Sequence, residues 1–312
     1  MILFVGIVLT ASTYAWFTAN KTVTVESIDV NVSTSQGLQI STDASNWKSI
    51  ITNTDITGAS WTGVRNQLPS GTNVAAPVST IGTVDSNGYM EMYKGTIDTS
   101  ETDGENILVT TKSTEVNGTS GDFVVFDLFF QSSQAQTVYL TSNSNVVAKG
   151  TSTGIENAAR VAFIKEGSVV YGSTAAQAQA LKGEMSKFIW EPNYDVHTAS
   201  GVSNALDVYG VTVGQTGASK LAYVGVKAPI AAANDVKLDS TNSSYFSSVT
   251  TTGSVAAGIP TSAYLNAFDV AEGVTKIRIY MWIEGQDVDC EDRASGGHIS
   301  YNLQFSIDPN AG

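Results

Sequence analysis

Cysteine, histidine and charge are all scarce in this chain. Its 312 residues include one cysteine, Cys290, and two histidines, His197 and His298. A single cysteine excludes an internal disulfide, and with two histidines it cannot complete a four-ligand zinc site without carboxylates. Charged residues make up only 14%, against roughly 25% in an average soluble protein. Basic residues are the rarer sign, 16 against 29 acidic, for a net charge of −13. Displacing counterions from phosphate requires clustered Lys and Arg, so nucleic acid is not an expected partner. Also missing are a GxSxG elbow, a phosphate-binding P-loop, an HExxH helix and a dinucleotide-binding strand–turn–helix unit. These absences leave a structural or binding role ahead of an enzymatic one.

What the chain does have is 42% hydrophobic residues, spread along its whole length, together with 35 Ser and 35 Thr. That is enough apolar material for a substantial core and argues against disorder. Met1–Leu9 (MILFVGIVL) is apolar apart from Gly6, and no charge occurs before Lys21. The run then softens into small and hydroxyl residues up to Ala15. A membrane-spanning helix needs ~20 continuous apolar residues. A short apolar core followed by small residues is the layout of a secretory signal peptide, with cleavage expected between Ala15 and Trp16. Its basic leading region is missing. An uncleaved anchor, with Trp16 and Phe17 at the membrane interface, and a pilin-type N-terminal helix are the other readings. Each places the remainder outside the membrane, at the cell surface or beyond. Membrane contact is then confined to residues 1–15.

Lys21–Val32 (KTVTVESIDVNV) alternates in period two, with Val23 and Val25 in one phase and Ile28, Val30 and Val32 in the other. The phase slip at Ser27 predicts a β-bulge in a half-buried strand. Similar runs occur at 38–40, 107–111, 123–130, 137–141, 160–164, 168–171, 206–213, 220–226, 276–283 and 298–307, separated by Gly, Asn, Ser and Asp clusters. Only Thr174–Lys187 reads as a helix, with a further turn expected within Ala263–Val270. This pattern predicts an all-β chain: one elaborated antiparallel β-sandwich, jelly-roll-like, with one short helix. No Pro-rich linker divides it, so residues 33–312 are read as one domain preceded by an extended strand over residues 16–32. Phe123–Phe130 (FVVFDLFF) is apolar on both faces except at Asp127. It reads as a central strand, or as a groove for a neighbour's strand.

Candidate chemistry is sparse. The segment Glu284–Asp292 (EGQDVDCED) holds five carboxylates, of which Asp287, Asp289, Glu291 and Asp292 are the candidate calcium ligands. The EF-hand spacing is not met, and a solvated acidic loop is the plainer reading. Cys290 and His298 flank the Gly296–Gly297 turn and could form a thiol–imidazole pair, although a structural cysteine is the simpler assignment. Trp190-Glu191-Pro192-Asn193-Tyr194 has the aromatic-plus-acid character of a sugar site, but nothing fixes a second carboxylate for glycoside hydrolysis.

The block Ala11–Val32 (ASTYAWFTANKTVTVESIDVNV) resembles the N-terminal region of Gram-positive exported proteins of the TasA/camelysin type. The shared layout is a small-residue stretch, then Tyr14-Ala15-Trp16-Phe17-Thr18, then the β-branched strand Val23–Val32. Phe123–Leu140, Ala158–Ile164, Phe188–Asn193 and Ile279–Cys290 resemble clostridial surface proteins of the same layout. The resemblance implies a jelly-roll subunit of an extracellular fibre or biofilm matrix, in which the mature N-terminal segment completes a neighbour's sheet. Val23, Val25, Ile28, Val30 and Val32 are then the expected subunit interface, and filaments of like chains the expected assembly. The alternative is a monomeric surface adhesin or carbohydrate-binding module, with Trp61, Trp190 and Tyr194 stacking on a glycan. No cofactor is expected beyond the calcium considered above.

Overall fold

The computed structural model describes residues 16, 22–33, 37–70, 75–98, 107–218, 220–234, 236, 242–253 and 265–307. Most of the signal-like segment, Ala15 included, lies outside these residues. The chain is mostly β, with 45% strand and 12% helix. In order, it forms β1 (Thr24–Ser33), β2 (Leu38–Ser41), β3 (Ile50–Ile51), α1 (Asn53–Thr57), β4 (Val78–Ser79), β5 (Met92–Asp98) and β6 (Ile107–Ser113). There follow β7 (Val124–Ser132), β8 (Gln136–Leu140), β9 (Asn145–Ala148), β10 (Ala159–Val169), α2 (Ala175–Gln179), β11 (Ser186–Glu191) and α3 (Ala199–Tyr209). The last part contributes β12 (Tyr223–Val226), β13 (Phe246–Val249), β14 (Thr252–Gly253), β15 (Leu265–Val270), β16 (Gly273–Ile283) and β17 (His298–Ser306).

Two six-stranded sheets organise the molecule. Sheet I runs β15-β8-β17-β1-β3, with β9 also paired to β17, and sheet II runs β14-β11-β10-β16-β7-β2. Period-two alternation sends Val30 and Val32 of sheet I, and Phe126, Phe130, Phe163 and Ile279 of sheet II, into one shared apolar core. Phe130, Phe163, Phe268 and Phe305 meet there with ring centroids 5.0–6.1 Å apart, the separations at which aromatic rings attract edge to face.

Sheet II is buried on its other face as well. A second cluster forms there from Val78, Met92, Phe123, Val125, Tyr280 and Trp282, and a third from Ala44, Phe129, Ala178 and Val274. This double burial explains why FVVFDLFF has no polar face: β7 lies between β16 and β2 with both sides covered. It is a central strand, as the plainer reading expected. Two smaller sheets, β4-β5-β6 and β12-β13, complete the described structure.

Among the pairs of named strands, two depart from a purely antiparallel arrangement. β1 runs parallel to β17, and β14 parallel to β11. The expected bulge is present: the β1–β17 register slips between Val25 and Ser27. The helix expected over Thr174–Lys187 is only α2, because Gly183 takes φ 146° and Ser186–Lys187 pair with β10. The turn expected within Ala263–Val270 is instead β15, paired to β8. The strand expected over Leu206–Val213 is instead the end of α3, which stops at Gly210 with φ 66°. Among the described residues no helix is long and apolar enough to cross a membrane.

Candidate functional site

The N-terminal strand sits inside its own sheet. Along most of its length β1 pairs with β17, from Thr24↔His298 to Ser33↔Ser306, while β3 borders it only at Val30 and Asn31. Val23, Ile28, Val30 and Val32 are buried in the main core, and Val25 packs against it. The interface residues named from sequence are therefore satisfied within this chain. At 1.5–3 kcal/mol for each large aliphatic side chain, they form a substantial docking face wherever the strand resides.

Trp16, expected to flank a cleavage point, is 1% exposed. Its indole Nε1 donates to Gln286 Oε1 at 2.7 Å, and its ring packs with Tyr93, Ile97, Leu108, Val226 and Phe246. The ring lies between two glycines: a Cβ placed on Gly95 would come within 2.6 Å of it, and one on Gly285 within 2.3 Å. Two positions without side chains thus shape a slot for one indole.

Beside that slot the acidic turn Glu284–Asp292 joins β16 to β17, and α3 clasps it. Asn204 Nδ2 donates to Val288 O at 2.9 Å, and the Tyr209 hydroxyl donates to Gln286 O at 2.8 Å. Asp289 accepts from Thr198 N at 2.7 Å and from Thr198 Oγ1 at 2.8 Å, and it contacts His197 Nδ1 at 2.8 Å. Thr198 in turn caps α3, accepting from Gly201 N at 2.9 Å. Asp287 Oδ2 accepts from Arg160 Nη2 at 2.5 Å, and the same nitrogen donates to Glu191 Oε1 at 2.8 Å. The candidate calcium ligands are not gathered into one site among the described residues. Asp287 is committed to Arg160 and Asp289 to His197 and Thr198, and Glu291 and Asp292 do not join them at a common point. Among the described residues no three His, Cys, Asp or Glu side chains are placed to share an ion.

A cavity of about 220 Å³ opens above this turn, lined by Arg160, Glu191, His197, Tyr223 and Asp287 with apolar Leu221 and Val224. Arg160 Nε and His197 Nε2 are buried there without a hydrogen-bond partner. Burial opposes protonation of His197, but Asp289 outweighs it and raises its pKa. Burial pushes Glu284, which accepts from Trp282 Nε1 at 3.0 Å and from the Tyr223 hydroxyl, up to about 7. The arrangement can hold a small polar group against the Arg160 and His197 nitrogens that line it. It supplies no thiol nucleophile, because Cys290 is buried in the main core and burial raises its pKa well above the usual thiol range. His298 is exposed and pairs with Glu26 instead.

The proposed glycan platform is dispersed. Trp190 is buried in the main core, Trp61 packs edge-on against Phe129 with its Nε1 donating to Thr42 O, and Tyr194 is half-buried. Sequence reasoning missed α3, the Arg160 pair and a second buried charge cluster around Asp127, Lys276 and Arg278. The available signal was the presence of charges inside the most apolar strands of a charge-poor chain. No family model, curated protein or solved structure matches this chain, so its functional reading rests on its own residues.

Proposed function

We propose that the chain is a secreted structural subunit of an extracellular fibre or biofilm matrix that assembles by strand exchange. The finer fold reading that accompanies this is a jelly-roll-like sandwich over residues 33–312, entered by a separable strand over residues 16–32. One observation carries the proposal: β1 is the first described strand, its one long partner is the last, β17, and its apolar face fills the core. Such a pairing can be made within a chain or by a neighbour's copy of β1 without altering any register. Passing the strand from copy to copy in one direction is a heterologous contact, which propagates as a filament when it does not close.

The test uses the Ser27 and Ser300 side chains, which hydrogen-bond across β1 and β17 at 3.0 Å. Ser27→Cys and Ser300→Cys are made on separate chains, mixed, allowed to assemble and oxidised. Covalent dimers between the two variants, together with filaments in negative-stain electron microscopy, support exchange. Single particles, with a disulfide formed only when both substitutions share a chain, overturn it.

A further inference from the structure

We propose that Lys276 and Asp127 condense to form an intramolecular amide cross-link between β16 and β7, with Glu166 as the proton acceptor. The two residues lie on adjacent antiparallel strands. Asp127 is opposite Arg278 and Lys276 is opposite Phe129, so Lys276 and Asp127 are diagonal neighbours on the same outer face. Lys276 Nζ lies 3.3 Å from Asp127 Oδ2 and 2.8 Å from Glu166 Oε2. Lys276 and Asp127 are each 1% exposed and Glu166 is 4% exposed. The Trp61 and Phe129 rings stand 5.5 Å and 6.0 Å from the ammonium and keep the site apolar.

The hydrogen-bond arithmetic at Nζ is unfavourable as it stands. An ammonium has three protons, and here it faces four oxygens. It donates to Gln179 O at 3.1 Å and to Leu181 O at 2.8 Å. One proton then remains for Asp127 Oδ2 and Glu166 Oε2, buried carboxylate oxygens that have no other hydrogen-bond partner, so at least one stays unsatisfied, an arrangement native interiors rarely keep. Condensation removes one of those oxygens as water and converts a buried ammonium–carboxylate pair into a neutral amide. That relieves the desolvation that makes buried ion pairs costly.

The step balances without any co-reactant. Lys276 passes one proton to Glu166, which relays it to Asp127 Oδ2, leaving a neutral amine beside a neutral carboxylic acid. The Nζ lone pair attacks Asp127 Cγ and forms the C–N bond. Arg278 Nη1, which donates to Asp127 Oδ1 at 2.7 Å, stabilises the oxyanion that develops there. A second proton leaves Nζ through Glu166, the Cγ–Oδ2 bond breaks, and Oδ2 departs as water carrying both protons. One proton remains on the amide nitrogen. A surface cavity of about 390 Å³, lined by Trp61, Arg65, Gln179 and Lys276 itself, adjoins the site and gives the water an exit.

Mass spectrometry of the folded chain, denatured only for measurement, tests the inference. The expected intact mass is lower than the sequence mass by one water. The expected tryptic product is a branched peptide joining Ser113–Lys149 to Leu238–Arg278, uncleaved after Lys276. Lys276→Met and Glu166→Gln should both restore the full mass. Because the wild-type chain is read directly, a variant that fails to fold does not blunt the test. A wild-type chain at full mass with no branched peptide overturns the proposal, as does a water loss that persists in Lys276→Met. A branched peptide that persists in Glu166→Gln overturns the role given to Glu166.

Discussion

At one end of the outer face of sheet II, three cations (Arg65, Lys276 and Arg278) face three carboxylates (Glu115, Asp127 and Glu166). At the other end one guanidinium, Arg160, faces Glu191 and Asp287, with Glu284 within electrostatic reach. Both groups are buried beneath loops on the same sheet, yet their charge arithmetic differs. The balanced group can satisfy each charge with an opposite one. The acid-rich group cannot, and it responds by holding protons: burial raises both Asp287 and Glu284, the latter to about 7. One end of the sheet is built for cohesion, and the other is built to titrate.

The largest expected effect comes from unbalancing the cohesive end. Arg278→Leu leaves Glu115 buried without its guanidinium, and loss of one partner from a buried ion pair costs about 3–5 kcal/mol. Urea denaturation should show that loss as a lower midpoint, and a midpoint within error of wild type would show that the pairing contributes little.

At the titrating end the sign is the reverse of ordinary acid denaturation. Glu284 keeps its proton when folded up to about pH 7, whereas its unshifted value is 4.5. Its stabilising contribution is complete below pH 4.5 and is lost as pH rises through about 7, on the order of 3 kcal/mol in all. His197, also raised, adds a loss in the same direction above its unshifted 6.5. Glu284→Gln should therefore flatten the fall in denaturation free energy between pH 4.5 and 7. An unchanged pH profile would remove Glu284 as its source.

Two smaller perturbations sharpen the contrast by disturbing only the titrating end. Gly285→Ala drives a methyl group into the Trp16 ring, and overpacking of this kind costs about 1–3 kcal/mol. The same substitution should shift tryptophan emission to the red as the indole leaves its slot. Thr198→Ala removes the cap of α3 and one of the donors to Asp289. It should cost about 1 kcal/mol, seen as a small drop in Tm without change in the Arg278→Leu increment, since distant sites add.

Legibility in the sequence followed the range of the forces involved. The bulge at Ser27 and the double-sided burial of Phe123–Phe130 were readable because each is written in local alternation. The end of α3 was misread as a strand because Ala199–Tyr209 (ASGVSNALDVY) has middling helix formers. It is held by Thr198 at one end, Gly210 at the other, and side-chain bonds to a turn 77 and 84 residues away. The parallel partner of β1 was not readable, because it depends on contacts some 270 residues apart. At the acidic turn the carboxylates were conspicuous, but their partners, Arg160 on β10 and His197 and Thr198 before α3, come from elements that only the fold brings near. Asp127 stood out as the lone charge in its strand, yet the cations facing it lie on β16.

The parallel alignment of β1 with β17 also fixes how the molecule would bear tension. The chain enters β1 at Thr24, beside His298, and leaves β17 at Ser306, beside Ser33. Traction applied between these two ends acts along the strands in opposite directions. The backbone hydrogen bonds of the pair are then loaded together in shear, rather than peeled one after another, so rupture requires them to fail at once. Whether the strand belongs to the same copy or to the next, the joint is oriented as a tensile coupling.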